Sequence, residues 1–126
     1  MTEPFDPYDF PLEARRIGPL LARRARDDGP RPYLSFGART YSFAEVDAET
    51  RALARGLAAR GLESNRFLAV MLPNCPEMIF AWYACALLGA ANVPINIAIT
   101  GRMLDTPLAD CAARGLIIHR SLVAAI

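Results

Sequence analysis

The chain has 126 residues, 53% of them hydrophobic, and its 14 basic and 13 acidic side chains leave a formal net charge of +1. That length makes one domain with a real core, and the balanced charge excludes both a basic field for nucleic acid and an acidic tail. Every basic residue is Arg, so lysine-based catalysis is excluded within this chain.

The first twelve residues, MTEPFDPYDFPL, mix Pro, Asp and aromatics without a helical or strand period. They read as an extended arm, with Phe5, Tyr8 and Phe10 available to pin it against another surface. Acids and prolines stand where a signal peptide would need an apolar stretch, so none is expected. From Glu13 to Asp28 an Arg-rich helix is expected, with Leu20, Leu21 and Ala25 inward and Gly29-Pro30 ending it. Its cluster Arg23, Arg24 and Arg26 reads either as an anion site or, more simply, as a solvated helix face.

Tyr33–Phe36 and Arg39–Tyr41 flank Gly37-Ala38, a glycine-first two-residue connection that signals a β-hairpin of the II′ kind. Ser42-Phe43-Ala44-Glu45 is an S-x-x-E capping box. Val46, Thr50, Leu53 and Leu57 follow at helical spacing as a core stripe. Gly61 supplies the left-handed position after that helix.

Phe67–Leu72 is a short unbroken apolar run, the pattern of a strand covered on both faces. Pro73-Asn74 breaks it, with Asn74 as candidate cap of a helix from Cys75 to Leu88 and Glu77 near its positive end. That helix is apolar nearly all round, which implies burial on most sides. Gly89 closes it and Ala91–Ile95 gives the next strand. Gly101 to Ala113 reads as a third helix, with Pro107 near its start or bending it. Leu116–Ile118 is a third buried strand, followed by His119 and a last helical turn. Met78 to Thr100 carries no charge, but its apolar run stops at Ala91, short of the about 20 residues that span a bilayer.

Strand, helix, strand, helix, strand with short connections defines a right-handed parallel α/β layer, here with the hairpin packed at its side. No internal repeat or low-complexity stretch interrupts it. Residues 1–12 form the arm and 13–126 the domain. The mean hydropathy of +0.19 is high for so small a free-standing domain: either a covering surface is missing, or alanine inflates the figure. Cys75, Cys85 and Cys111 are odd in number and lack C-x-x-C spacing, which suits free, buried thiols in a reducing cytoplasm.

Three segments together carry a resemblance: TYSFAEV (Thr40–Val46), FLAVMLPNCPE (Phe67–Glu77) and LLGAANVPIN (Leu87–Asn96). In this order and at these separations they resemble the opening of the adenylate-forming acyl-CoA synthetase (AMP-binding) family, over about residues 30–118. LADCAARGLIIHR resembles the family's next segment with two departures. Ala112 stands where glycine is usual, and Gly115 occupies a β-branched position.

The resemblance implies the N-terminal part of that family's large domain, an incomplete parallel sheet with flanking helices. It also implies an enzyme that uses ATP, Mg and coenzyme A to convert a carboxylic acid to an acyl-adenylate and then an acyl-CoA. The style of PINIAITGRML leans toward the crotonobetaine/carnitine and fatty-acid ligase branch. The family grips phosphates with a Ser/Thr/Gly-rich loop ending in Pro-Lys and uses a further Lys from a C-terminal domain. Neither is in this chain, where the one Thr-Gly pair, Thr100-Gly101, is followed by Arg and Met.

No catalytic, cofactor-binding or metal-binding residue is therefore assigned, and the chain alone is expected to be inactive. His119 is the sole histidine, which precludes a multi-histidine metal set; its pairing with Ser121 or Cys111 lacks an orienting third group. Asp105 and Asp110 read as solvated, and Trp82 and Tyr83 as core. The alternative is a non-catalytic interaction module using an exposed sheet edge and apolar helix face. A flavodoxin-like nucleotide binder is disfavoured, because no Gly- or Ser/Thr-rich loop follows the first parallel strand. Partners expected are the remainder of such an enzyme or a second copy, with no nucleic acid and no transmembrane segment.

Overall fold

Each main helix starts and stops where its sequence provides the local chemistry. The computed structural model describes residues 11–126, with the side chain of Ala125 left aside. The arm expected for residues 1–12 therefore lies outside the described residues except for Pro11 and Leu12. The element expected from Glu13 to Asp28 is divided. Leu12–Arg15 forms a 3-10 turn, Arg16 is extended, and α1 runs from Ile17 to Asp27. Pro19 explains the break, because its missing N–H is harmless only within a helix's first turn.

Strands β1 (Pro32–Phe36) and β2 (Arg39–Ser42) pair antiparallel across Gly37-Ala38, with Phe36 opposite Arg39. Gly37 has φ +57, the left-handed geometry that a glycine-first turn requires. Helix α2 (Phe43–Ala59) opens with the expected capping box. Glu45 N–H donates to Ser42 Oγ at 3.2 Å, and Ser42 N–H donates to Glu45 Oε2 at 2.7 Å. These backbone and side-chain bonds from Ser42, the larger first, pull the Glu45 carboxyl below its usual range. Val46, Thr50 and Ala54 are buried along α2 while Leu53 and Leu57 pack half-buried against the sheet.

β3 (Phe67–Met71) is the central strand of a parallel three-stranded sheet in the order β4-β3-β5. Its partners are β4 (Ala91–Pro94), in register from Phe67 opposite Ala91, and β5 (Gly115–Ile118), from Leu68 opposite Gly115. The period-two alternation of a strand sends β3 side chains to two cores. Leu68 and Val70 pack with Leu62, Ala81 and Cys85 beneath α2 and α3 (Pro76–Leu88), whereas Ala69 and Met71 pack with Ile95 and Leu104 on the opposite face. A strand covered on both faces reads as an unbroken apolar run for this reason.

Three expectations change. The cap of α3 is Cys75 rather than Asn74, with no side-chain bond, because Pro76 takes the first helical position that its fixed φ suits. The segment Gly101–Ala113 is a 3-10 turn, Gly101–Leu104, followed by α4 (Asp105–Asp110), with Pro107 again held inside the first turn. And β5 is half-exposed at all four positions, since it forms an edge of the sheet.

The two departures from the resembled pattern have physical consequences. Ala112 has φ +46, a left-handed corner that favours glycine. Gly115 has no side chain to fill the space beside Leu68, whose Cδ1 lies 3.5 Å from where a Cβ would stand.

Candidate functional site

In open α/β sheets the reactive crevice lies at the carboxyl ends of the strands. Here that edge carries Pro73 and Asn74 after β3, Ile95 and Asn96 after β4, and His119 after β5. A cleft of about 340 Å³ between the first two turns is lined by Leu72, Asn74, Met78, Pro94 and Asn96, among others. Its chemistry is sparse. The Asn96 side-chain oxygen accepts the Ala98 N–H at 2.9 Å and so stabilises its own turn. Among the described residues no titratable side chain lines the cleft, and no cluster of His, Cys, Asp and Glu could hold a metal ion.

His119 does meet Ser121, one of the two pairings the sequence raised. Its Nδ1 lies 2.8 Å from Ser121 Oγ and accepts the Ser121 N–H at 3.2 Å, capping the final 3-10 turn (Arg120–Ala125). With Nδ1 occupied by a backbone N–H, this pair is a turn cap; a nucleophile would need an orienting third group on the imidazole. Cys111 instead directs its Sγ–H to the Leu108 carbonyl.

The arginine cluster is paired with acids. Arg23 and Arg26 bond Asp27, and Arg24 reaches Asp28 at 2.5 Å. Asp105 and Asp110 stand exposed at opposite ends of α4. Tyr83 is half-buried in the core between the hairpin and α1, while Trp82 is 49% exposed, so burial of α3 is less complete than its composition suggests. Burial pushes the thiol of buried Cys85 up to about 11 and raises that of half-buried Cys75, in both cases away from the reactive thiolate. No helix among the described residues is long and apolar enough to cross a membrane.

A parallel β3-α3-β4 unit with a second crossover to β5, flanked by a capped helix and a hairpin, defines part of a parallel α/β domain. The sequence pattern of the AMP-binding enzyme family matches residues 21–126, and the chain belongs to that family. A feruloyl-CoA synthase of Amycolatopsis sp is 33% identical over 113 residues, which is 87% of this chain and 23% of that protein. A medium/long-chain-fatty-acid–CoA ligase of Mycobacterium tuberculosis is 30% identical over 92% of this chain and 19% of its own length. The N-terminal domain of FACL13 from Mycobacterium tuberculosis superposes with a TM-score of 0.83 at 24% identity, over 87% of this chain and 28% of that one. The chain thus spans about a fifth of the curated relatives' length. Its fold is that of part of the N-terminal domain of acyl-CoA synthetases.

Proposed function

We propose that this chain is the N-terminal part of an AMP-forming acid–thiol ligase and acts as scaffold. In the whole enzyme it would supply sheet, buried helix and part of the wall near the acyl site. The observation that carries the reading is the family match over residues 21–126, joined to the relatives that activate acids as coenzyme A thioesters. The complete reaction would use ATP and Mg to form an acyl-adenylate and coenzyme A to accept the acyl group. The fatty-acid relative supports a place in fatty acid metabolism, and three free thiols, Cys85 buried and Cys75 and Cys111 half-buried, fit the cytoplasm.

Adenylyl transfer needs donors aimed at developing phosphate charge. The 126 residues contain no Lys and no Ser/Thr/Gly-rich loop, and the carboxyl edge of the sheet offers asparagines and one capping histidine. The chain alone is therefore expected to give no acid-dependent exchange between ATP and pyrophosphate. Exchange by the purified chain that tracks an added carboxylic acid, after rigorous removal of host enzymes, would overturn this.

The open edges of β4 and β5 favour a second reading, an interaction module. Co-expression with the remainder of a related ligase distinguishes the two. Restored activity supports the scaffold, and independent folding with no gain supports the module.

A further inference from the structure

Where α1 meets the hairpin and α3, the structure leaves a mostly apolar corner of about 160 Å³. Ile17, Leu20 and Arg24 bound it on α1, Tyr33 on β1, Tyr83 on α3, and Phe43 at the start of α2. An apolar space of about 150 Å³ takes one benzene ring. These residues do not close the corner among themselves. Tyr33 remains 42% exposed, although its ring stacks on Phe43 and its hydroxyl is bonded to that of Tyr83.

The described residues begin beside this corner. Pro11 leads into the turn Leu12–Arg15, and α1 starts two residues later at Ile17. The 3-10 turn rises about 2 Å per residue, which puts Pro11 within about 15 Å of Ile17. The ten residues before Pro11 carry Phe5, Tyr8 and Phe10 among Glu3, Asp6 and Asp9, with no basic side chain. Residues 11–28 hold the opposite balance, five arginines against three acids. Pro4, Pro7 and Pro11 each bias the preceding residue toward extended backbone.

We propose that this corner is the docking site of the chain's own first ten residues, with the Tyr8 ring seated against Leu20 and Tyr33 and with Asp6 and Asp9 beside the arginines of α1. Three extended residues back from Pro11 cover about 10 Å, and the side chain supplies the remainder. Tyr8 suits the corner better than Phe5 on two counts. It closes a shorter loop, and its hydroxyl, donor and acceptor at once, can join the Tyr33–Tyr83 pair. A tethered segment also meets the corner at an effective concentration of about a millimolar, which a second copy of the chain at micromolar concentration does not match. Docked in this way, the segment fastens α1 to the hairpin and α3. The inference concerns only the amino end of this chain and is independent of whether the ligase reading holds.

The test is a double-mutant cycle in the 126-residue chain, read by urea midpoints. Tyr8→Ala and Leu20→Ala should each lower the midpoint by about 0.5 M. Together they should lower it by clearly less than the two losses added, because the same contact is removed in all three variants. Phe5→Ala and Leu20→Ala should instead be additive. The coupling should be equal at two protein concentrations about tenfold apart. The proposal is overturned by an unchanged midpoint for Tyr8→Ala, by additive losses at Tyr8 and Leu20, or by coupling that falls on Phe5. It is equally overturned if the coupling grows with protein concentration, which would seat the segment on a second copy.

Discussion

The hydroxyl of Tyr33 on β1 is hydrogen-bonded to that of Tyr83 on α3, joining positions fifty residues apart. Around it the Tyr33 ring stacks on Phe43 at 4.4 Å and Tyr41 meets Phe80 edge-on at 5.6 Å. The hairpin is thereby fastened to α3 through aromatic contacts, although β1 and β2 share no strand pairing with the parallel sheet. Burial first, and the Tyr33 hydroxyl second, raise the Tyr83 phenol well above its ordinary range.

Tyr83→Phe should cost about 1 kcal/mol, the worth of one part-buried hydrogen bond. The sign of the pH effect follows from the raised native value. The contribution is complete below about pH 10, where the unfolded phenol is still protonated, and is lost as pH rises toward the native value. Urea melts at pH 9 and pH 11 should show a smaller alkaline loss for Tyr83→Phe than for the parent chain. Equal losses would remove the phenol from this account.

Two left-handed corners should respond with opposite signs. Ala112 holds φ +46 with a side chain that disfavours it, so Ala112→Gly should stabilise by about 1 kcal/mol. Gly89 holds φ +67 at the end of α3, and an added Cβ would stand 2.8 Å from Ser64 Oγ. Gly89→Ala should therefore destabilise by at least about 1–2 kcal/mol. Urea midpoints moving in the same direction would contradict this.

Along α3, Phe80 is 6% exposed, and Ala81, Ala84 and Cys85 are buried completely or nearly so. Phe80→Ala should cost about 3–5 kcal/mol, while Trp82→Ala, at a half-exposed position, should cost about 1 kcal/mol or less. In an aspartate scan, position 82 should be tolerated and positions 81 and 84 should not. Uniform tolerance across the helix would sink the buried-face description.

What was legible in the sequence was local or periodic. The Ser42–Glu45 box, Gly37, Gly61 and Gly89 specify their conformations within a few residues, and the run Phe67–Leu72 announces two-sided burial. Both prolines inside expected helices, Pro19 and Pro107, were visible, but where the preceding chain would yield depends on tertiary packing. At α3 two local signals competed. Asn74 is the better capping residue, yet Pro76 at the first helical turn fixed the cap one residue later, at Cys75. Which side of α3 faces solvent was hidden, because an almost uniformly apolar helix has no stripe to read. A groove between α2 and β5, lined by Leu53, Leu57 and Ile117 among others, was also hidden, because it depends on the strand register that sets Gly115 opposite Leu68.

The parallel sheet should make this chain self-associate. Among the described residues β4 and β5 each pair on one side only, leaving a row of backbone N–H and C=O groups on the other. Such rows template pairing with further strands unless charge, proline or a covering element blocks them. The two edges differ: β4 ends in Pro94, which cannot donate, whereas β5 is Gly-Leu-Ile-Ile with neither charge nor proline. Its three apolar side chains are all half-exposed, and the groove beside it adds unburied leucine surface. Association should therefore run through β5. Sedimentation at micromolar concentration should show oligomers, relieved by co-expressing the remainder of a related ligase and reduced by Ile117→Lys, which sets a charge on that edge. A monodisperse, cooperatively unfolding monomer would show instead that β5 is protected in the isolated chain, and would favour the stand-alone module.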